Sequence, residues 1–156
     1  MSIEKVRAYF KDRGIDERQV LEFDVSSATV ALAAKALNCE EARIAKTLSF
    51  HVGDDTILIV MSGDSKIDNT KYKAKFKCKA KMLSLNEAES LIGHAVGGVC
   101  PFAVNKGVLV YLDESLKRFE TVYPACGSSN SAIELNMNEL ELYSNYVEWI
   151  DVCKIV

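Results

Sequence analysis

The chain has 156 residues, 49% of them hydrophobic and 26% charged, which suffices for one buried core and excludes a disordered segment. A net charge of −3 excludes a general nucleic-acid binder, so any RNA contact must come from a local patch. Five scattered cysteines without a CxxC pair, and two histidines outside ligand spacing, exclude a zinc motif and predict reduced thiols and no metal or cofactor.

A charged N-terminus and short apolar runs predict a soluble cytoplasmic protein with no membrane span, one domain over residues 1–156. Ser2 is placed to cap a first helix, with Ile3, Val6, Tyr9 and Phe10 on one face and Gly14 ending it. Val20 to Asp24 reads as a short strand. The small hydroxyl run Ser26-Ser27-Ala28-Thr29 precedes a helix with Val30, Ala33, Ala34 and Leu37 inward and Asn38 as its stop. Those hydroxyls either cap the helix or line a pocket.

A helical turn at Glu40–Arg43 leads to a strand from Ile44 to Phe50, in which Lys46 shares the face of Ile44, Leu48 and Phe50. A lysine among such neighbours either snorkels to water or reaches a cavity that receives an anion. His51 to Asp55 reads as a hairpin turn with His51 solvated. Thr56 to Met61 is apolar enough for a central strand covered on both sides. Seven lysines crowd between Lys66 and Lys81, with a helix through Lys71, Lys73 and Lys75 starting near Asp68-Asn69 and a short strand at Ala80–Met82. This is the one concentrated positive surface, either a solvated face or a contact for nucleic-acid phosphates. Tyr72 and Phe76, four apart, read as core anchors.

Asn86-Glu87 resembles a capping box opening a helix that Gly93 ends. Strands at Val108–Leu112 and Thr121–Tyr123, with one helical turn from Asp113 between them, precede a loop at Cys126–Ser131 and a strand at Ala132–Leu135. A helix near Asn138–Tyr143 and a closing strand Val147–Val152 complete an α+β pattern with a mixed, strongly curved sheet.

The most distinctive stretch is Gly93-His94-Ala95-Val96-Gly97-Gly98-Val99-Cys100-Pro101-Phe102. Its glycines allow close approach of main chain to a ligand, and Pro101 stiffens it. It is either a tight turn in a packed core or a bare loop offering N–H groups from Gly97 to Cys100 to a substrate oxygen.

Gly97-Gly98-Val99-Cys100-Pro101-Phe102, with Lys46-Thr47-Leu48 before it and Pro124-Ala125-Cys126-Gly127-Ser128-Ser129 after it, resembles the YbaK/EbsC family over essentially the whole chain. These proteins are free-standing relatives of the editing domain inserted in bacterial prolyl-tRNA synthetases. The resemblance implies a barrel-like curled sheet flanked by helices, with one cleft. It also implies trans-editing hydrolysis of mischarged aminoacyl-tRNA carrying a small aminoacyl group on tRNA-Pro or a related tRNA, with a synthetase as a possible partner. Lys46 matches the lysine on which the family's editing depends. The family's frequent glycine pair in the second loop is here Cys126-Gly127, which narrows that wall and leaves the amino acid specificity open.

An aminoacyl ester is activated, so positioning water and polarising the carbonyl suffice for its hydrolysis. On this reading Lys46 and the main chain of Gly97, Gly98, Val99 and Cys100 carry catalysis, with assistance from the substrate's own ribose hydroxyl. Thr47, Pro101, Phe102, Gly127, Ser128 and Ser129 contact substrate, and Lys71, Lys73 and Lys75 contact tRNA. Two other readings stay open: a thiol hydrolase in which Cys100, or Cys126, attacks with His94 as base, and a binding module for tRNA or a synthetase without catalysis.

Overall fold

The computed structural model describes residues 2–95 and 97–156, so the part of the glycine-rich stretch at Val96 lies outside the described residues, as does any cap made by the Ser2 side chain. Five helices surround the strands: α1 (Ser2–Asp12), α2 (Val30–Leu37), α3 (Asn69–Phe76), α4 (Leu85–Ile92) and α5 (Met137–Ser144). The strands are β1 (Val20–Glu22), β2 (Ile44–Val52), β3 (Asp55–Ser62), β4 (Ser65–Ile67), β5 (Leu109–Asp113), β6 (Thr121–Pro124), β7 (Ser131–Ile133), β8 (Leu135–Asn136), β9 (Glu148–Ile150) and β10 (Cys153–Ile155). Six of them form one curled mixed sheet in the order β8-β6-β2-β3-β5-β9. The pairs β2–β3 and β6–β8 run antiparallel; β2–β6, β3–β5 and β5–β9 run parallel. The expected α+β class with a mixed, curved sheet is what the chain adopts.

β3 occupies the interior of this sheet, which is why Ile57 to Met61 is an unbroken apolar run, 0–1% exposed. Its alternate side chains feed two cores. Leu58 and Val60, with Ala45 from β2, join Val6, Phe10, Ile92, Cys100, Phe102 and Leu140 on one face. Ile57, Ile59 and Met61 join Phe50, Tyr72, Ile150 and Val152 on the other. Tyr72 and Phe76 of α3 are core anchors there, with ring centroids 4.8 Å apart.

Local chemistry sets most element ends. Thr29 accepts the Leu32 N–H and caps α2, and Asn38 closes it in the left-handed region at φ 53. Asp68 caps α3 by accepting from Thr70 and Lys71. Gly93 ends α4 at φ 97, a conformation cheap for glycine.

Several boundaries differ from the sequence reading. α4 starts at Leu85, because Ser84 and Glu87 form the reciprocal capping box. Ala80–Met82 is no strand; Met82 makes an isolated bridge to Phe50. The expected closing strand Val147–Val152 is shorter, β9 covering only Glu148–Ile150, and β10 follows it in a different sheet, with Asp113 Oδ1 accepting the Val152 N–H at 2.9 Å between them. β4, which pairs with β10, carries too short and polar a signal to be read. His51 is not simply solvated: its Nε2 lies 2.9 Å from Glu87 Oε2.

Candidate active site

The candidate site is built on an interruption in β2. β6 runs beside β2 only as far as Ala45, opposite Pro124. The next contact on that edge is the segment around Met82, where Leu83 N–H donates to Ser49 O at 3.1 Å and His51 N–H donates to Lys81 O at 2.8 Å. Between these supports opens a cleft of about 330 Å³. The N-terminal end of α2 walls it with Ser27, Ala28, Thr29 and Ala33. Ala45 to Ser49 form its floor, Met82 to Leu85 one rim, and Gly97, Val99, Tyr123, Ala125, Ser131 and Ala132 the remaining wall.

The hydroxyl run before α2 performs both roles left open for it. Thr29 caps the helix, and Ser27 to Thr29 also line the cleft. That segment is tied to the second loop: Ser27 N–H donates to Ser129 O at 2.6 Å, and the Ser27 hydroxyl donates to the same oxygen at 3.3 Å.

The two glycine-bearing loops pack main chain against main chain. A Cβ on Gly98 would stand 2.5 Å from Ser128 N and 2.6 Å from Gly127 C, so no other residue fits there. Gly97 sits at φ +92, where a Cβ would come within 3.3 Å of Ser129 Cβ. Within the first loop Gly98 N–H is already used, donating to Ala95 O at 3.0 Å. Gly97 and Val99 line the cleft, and their N–H groups donate to no acceptor among the described residues.

The other residues singled out by sequence divide sharply. Lys46 and Thr47 lie in the cleft wall. The Lys46 ammonium, however, donates to the main-chain oxygen of Ser65, which is not a cleft residue, so it does not itself meet the two loops. Burial lowers its pKa from the usual lysine range, with Cys153 and Asp64 acting in the opposite direction. Thr47 Oγ1 is buried without a hydrogen-bond partner among the described residues. Pro101 and Phe102 are buried core residues outside the cleft, Phe102 lying against Phe10 at a centroid distance of 4.8 Å. Gly127, Ser128 and Ser129 are also absent from the cleft wall. The Ser128 hydroxyl is taken up by Asn130 Oδ1 at 2.9 Å and Ser131 Oγ at 2.7 Å, and thus braces the loop.

Cys100, Cys126 and His94 are fully buried. His94 Nε2 donates to Phe102 O at 2.7 Å and stands 3.6 Å from Cys100 Sγ, so sequence rightly placed the pair together. Burial pushes the Cys100 thiol up to about 12 and Cys126 well above its ordinary value, and burial lowers His94. A neutral imidazole whose Nε2 proton is committed to a carbonyl, beside a thiol closed to solvent, is inert as a nucleophilic pair.

Of the three lysines assigned to tRNA, two are engaged by carboxylates: Lys71 with Asp151 at 3.0 Å and Lys75 with Glu148 at 2.6 Å. Lys73 borders a shallow groove with Asn69, Thr70, Ala74, Lys79 and Ala80. Among the described residues no cluster of three or more His, Cys, Asp or Glu could hold a metal ion, and no helix is long and apolar enough to cross a membrane. Sequence reading missed Met82, Leu83, Leu85, Ala88 and Tyr123 as cleft residues. They carry no motif and arrive by tertiary packing.

Comparison with known proteins places this cleft in context. The sequence model of the aminoacyl-tRNA editing domain matches residues 25–142, a segment that holds every residue of the cleft. The chain is 54% identical over 155 residues to the uncharacterized protein YwhH of Bacillus subtilis strain 168, covering 99% of this chain and 98% of YwhH. It is 29% identical over 132 residues to the proline–tRNA ligase of Halalkalibacterium halodurans, covering 84% of this chain but 22% of that enzyme. Among solved structures, a proposed trans-editing enzyme for prolyl-tRNA synthetase superposes with a TM-score of 0.87 at 27% identity, covering 98% of this chain and 97% of the other. The hypothetical protein APE2540 superposes with a TM-score of 0.84 at 28% identity, covering 96% of this chain and 99% of the other. Architecture, cleft and sequence agree, and the chain belongs to the aminoacyl-tRNA editing domain family.

Proposed function

We propose that this protein acts in trans as a deacylase, hydrolysing the ester of a small aminoacyl group on a mischarged tRNA, with tRNA-Pro the first candidate. The observation that supports the reading is one cleft lined by Lys46 and Thr47 of β2 and by Gly97 and Val99 of the glycine-rich loop, among small residues. Ala28, Ala33, Ala45 and Ala125 line the cleft and leave room for a small acyl group, which suits selection by size.

Chemically the site positions water and polarises the ester. Loop N–H groups at Gly97 and Val99, which donate to no acceptor among the described residues, suit the oxygen that becomes negative as water attacks. The ester C–O bond then breaks, the ribose oxygen takes a proton, and the free amino acid and tRNA leave. Lys46 has one of its three ammonium donors on Ser65 O, and the remaining donors suit a phosphate or polar group of the tRNA terminus. Lys73 and Lys79, bordering a groove outside the cleft, suit contacts to tRNA phosphates further away.

The test is a panel of alanyl-, seryl-, threonyl- and cysteinyl-tRNAs incubated with purified protein, reading release of labelled amino acid. Turnover of at least one, with a loss of roughly 10²-fold in Lys46→Ala, is expected for removal of one charge contact to the substrate. Binding of tRNA without turnover of any of the four would instead make this a binding module, and an unchanged rate in Lys46→Ala would remove that residue from the mechanism.

A further inference from the structure

Along the outer edge of β2 the residues whose N–H and C=O point away from β3 alternate, as in any antiparallel ladder. Leu83 bonding to Ser49 O, and His51 bonding to Lys81 O, show that Ser49 and His51 belong to this outward set. Ala45 and Thr47 share their parity. Ala45 is covered by β6, and Ser49 and His51 by the Met82 segment. Thr47 alone of the four has no strand or segment beside it: its N–H and C=O appear in no hydrogen bond to β6 or to the Met82 segment. One rung of the sheet is therefore missing, and the gap lies in the floor of the cleft.

Two independent observations mark this gap as a ligand position. First, Thr47 lines the cleft, and its N–H, C=O and Oγ1 all lack a hydrogen-bond partner outside β3 among the described residues. Second, among the described residues no Asp or Glu lines the cleft, and Lys46 is its one charged lining residue. An aminoacyl ester brings a cationic α-ammonium into this space, and only hydroxyl and main-chain oxygens are there to receive it.

We propose that the aminoacyl group itself supplies the missing rung. Resting on the deacylase reading above, the substrate's single residue docks opposite Thr47 as in an antiparallel hydrogen-bonded pair. Its α-ammonium donates to Thr47 C=O, and its ester carbonyl accepts from Thr47 N–H. One residue is the natural occupant, because a single outward-facing position, Thr47, lies between the supports at Ala45 and Ser49. Docking in this way also presents the ester carbonyl to a fixed N–H donor on the floor, complementing those of the glycine loop. Thr47 is thus a substrate-binding residue through its main chain, whatever its side chain.

Two measurements test this. Alanyl-tRNA and propionyl-tRNA differ by the α-ammonium alone. Once each rate is divided by its spontaneous hydrolysis, the propionyl ester is expected to be cleaved at least tenfold less efficiently. Replacing Thr47 by its α-hydroxy analogue deletes one outward N–H and leaves the bonds to β3 in place. It is expected to lower kcat/KM for alanyl-tRNA at least tenfold, with the thermal midpoint of unfolding reported alongside. Equal normalised rates for the two esters overturn the proposal, as does full activity of the folded α-hydroxy variant, and either result leaves the deacylase reading standing. Failure of the parent protein to hydrolyse any aminoacyl-tRNA in the panel overturns that reading, and the rung with it.

Discussion

Gly98 illustrates how much a single position decides. Its missing side chain lets the first loop touch the main chain of the second, at distances a Cβ would reduce to 2.5 Å. Gly98→Ala is therefore expected to destabilise the fold by about 1–3 kcal/mol, as overpacking does, and to lower deacylation by disturbing Gly97 and Val99; a urea transition and a single-turnover assay read the two effects. Cys100 makes the opposite case. With its thiol fully buried and pushed up to about 12, Cys100 is held as the protonated thiol near neutral pH. Cys100→Ser is expected to keep full deacylase activity. Iodoacetamide is expected to label the partly exposed Cys39 and Cys78 of the native protein in preference to Cys100; prompt labelling of Cys100 would revive the thiol mechanism. At this scale the sequence was informative where a residue's chemistry is intrinsic. The glycine pair and proline announced a stiff loop, either packed in the core or bare to a substrate, and a lysine on an apolar face announced either a snorkel to water or a cavity that receives an anion. That its partner is the Ser65 carbonyl depends on β4, a three-residue strand with no readable signal.

Helices and strands follow local rules closely here, and so their ends can be tested locally. Ser84 caps α4 through a reciprocal pair with Glu87, and Glu87 also reaches His51 of β2. Ser84→Ala removes the hydroxyl that receives the Glu87 N–H, and is expected to cost about 1 kcal/mol. The midpoint of a urea transition should fall with its slope unchanged. The S-x-x-E spacing of Ser84 and Glu87 was legible in the sequence, and placing the start at Asn86 passed over it. The early end of β9 at Ile150 and the separate strand β10 after it were not legible in the same way. The Asp113 carboxylate, 39 residues earlier, holds the Val152 N–H between the two strands, a contact no local pattern announces.

For the molecule as a whole, several carboxylates are stabilised in the folded state. Hydrogen bonding from Arg118 holds Asp64 below the usual carboxylate range, while Thr121 and Tyr123, assisted by Arg43, do the same for Glu134. A depressed folded pKa means that the stabilisation is fully present above the unfolded value, about 4. It is lost as pH falls through the folded values. Burial holds the His94 imidazole below its ordinary value of 6.5, so stability is expected to begin falling as pH drops through that value and to decline further below pH 4 as the carboxylates protonate, read as the urea midpoint against pH. Asp64→Asn is expected to flatten that decline by a fraction of a kcal/mol, since Asp64 and Arg118 are both partly exposed.

The sequence by itself determined the mixed α+β class, the central place of β3, the caps of α2 and α3, and the family. These rest on apolar periodicity, capping chemistry and short motifs, all of which act within a few residues. Only the tertiary structure decided that β6 stops at Ala45 and that the Met82 segment takes over at Ser49, leaving Thr47 open between them. Strand neighbours meet across long stretches of chain, and their registry is fixed by the packing of both sheet faces at once. A gap in a sheet has no residue of its own to betray it.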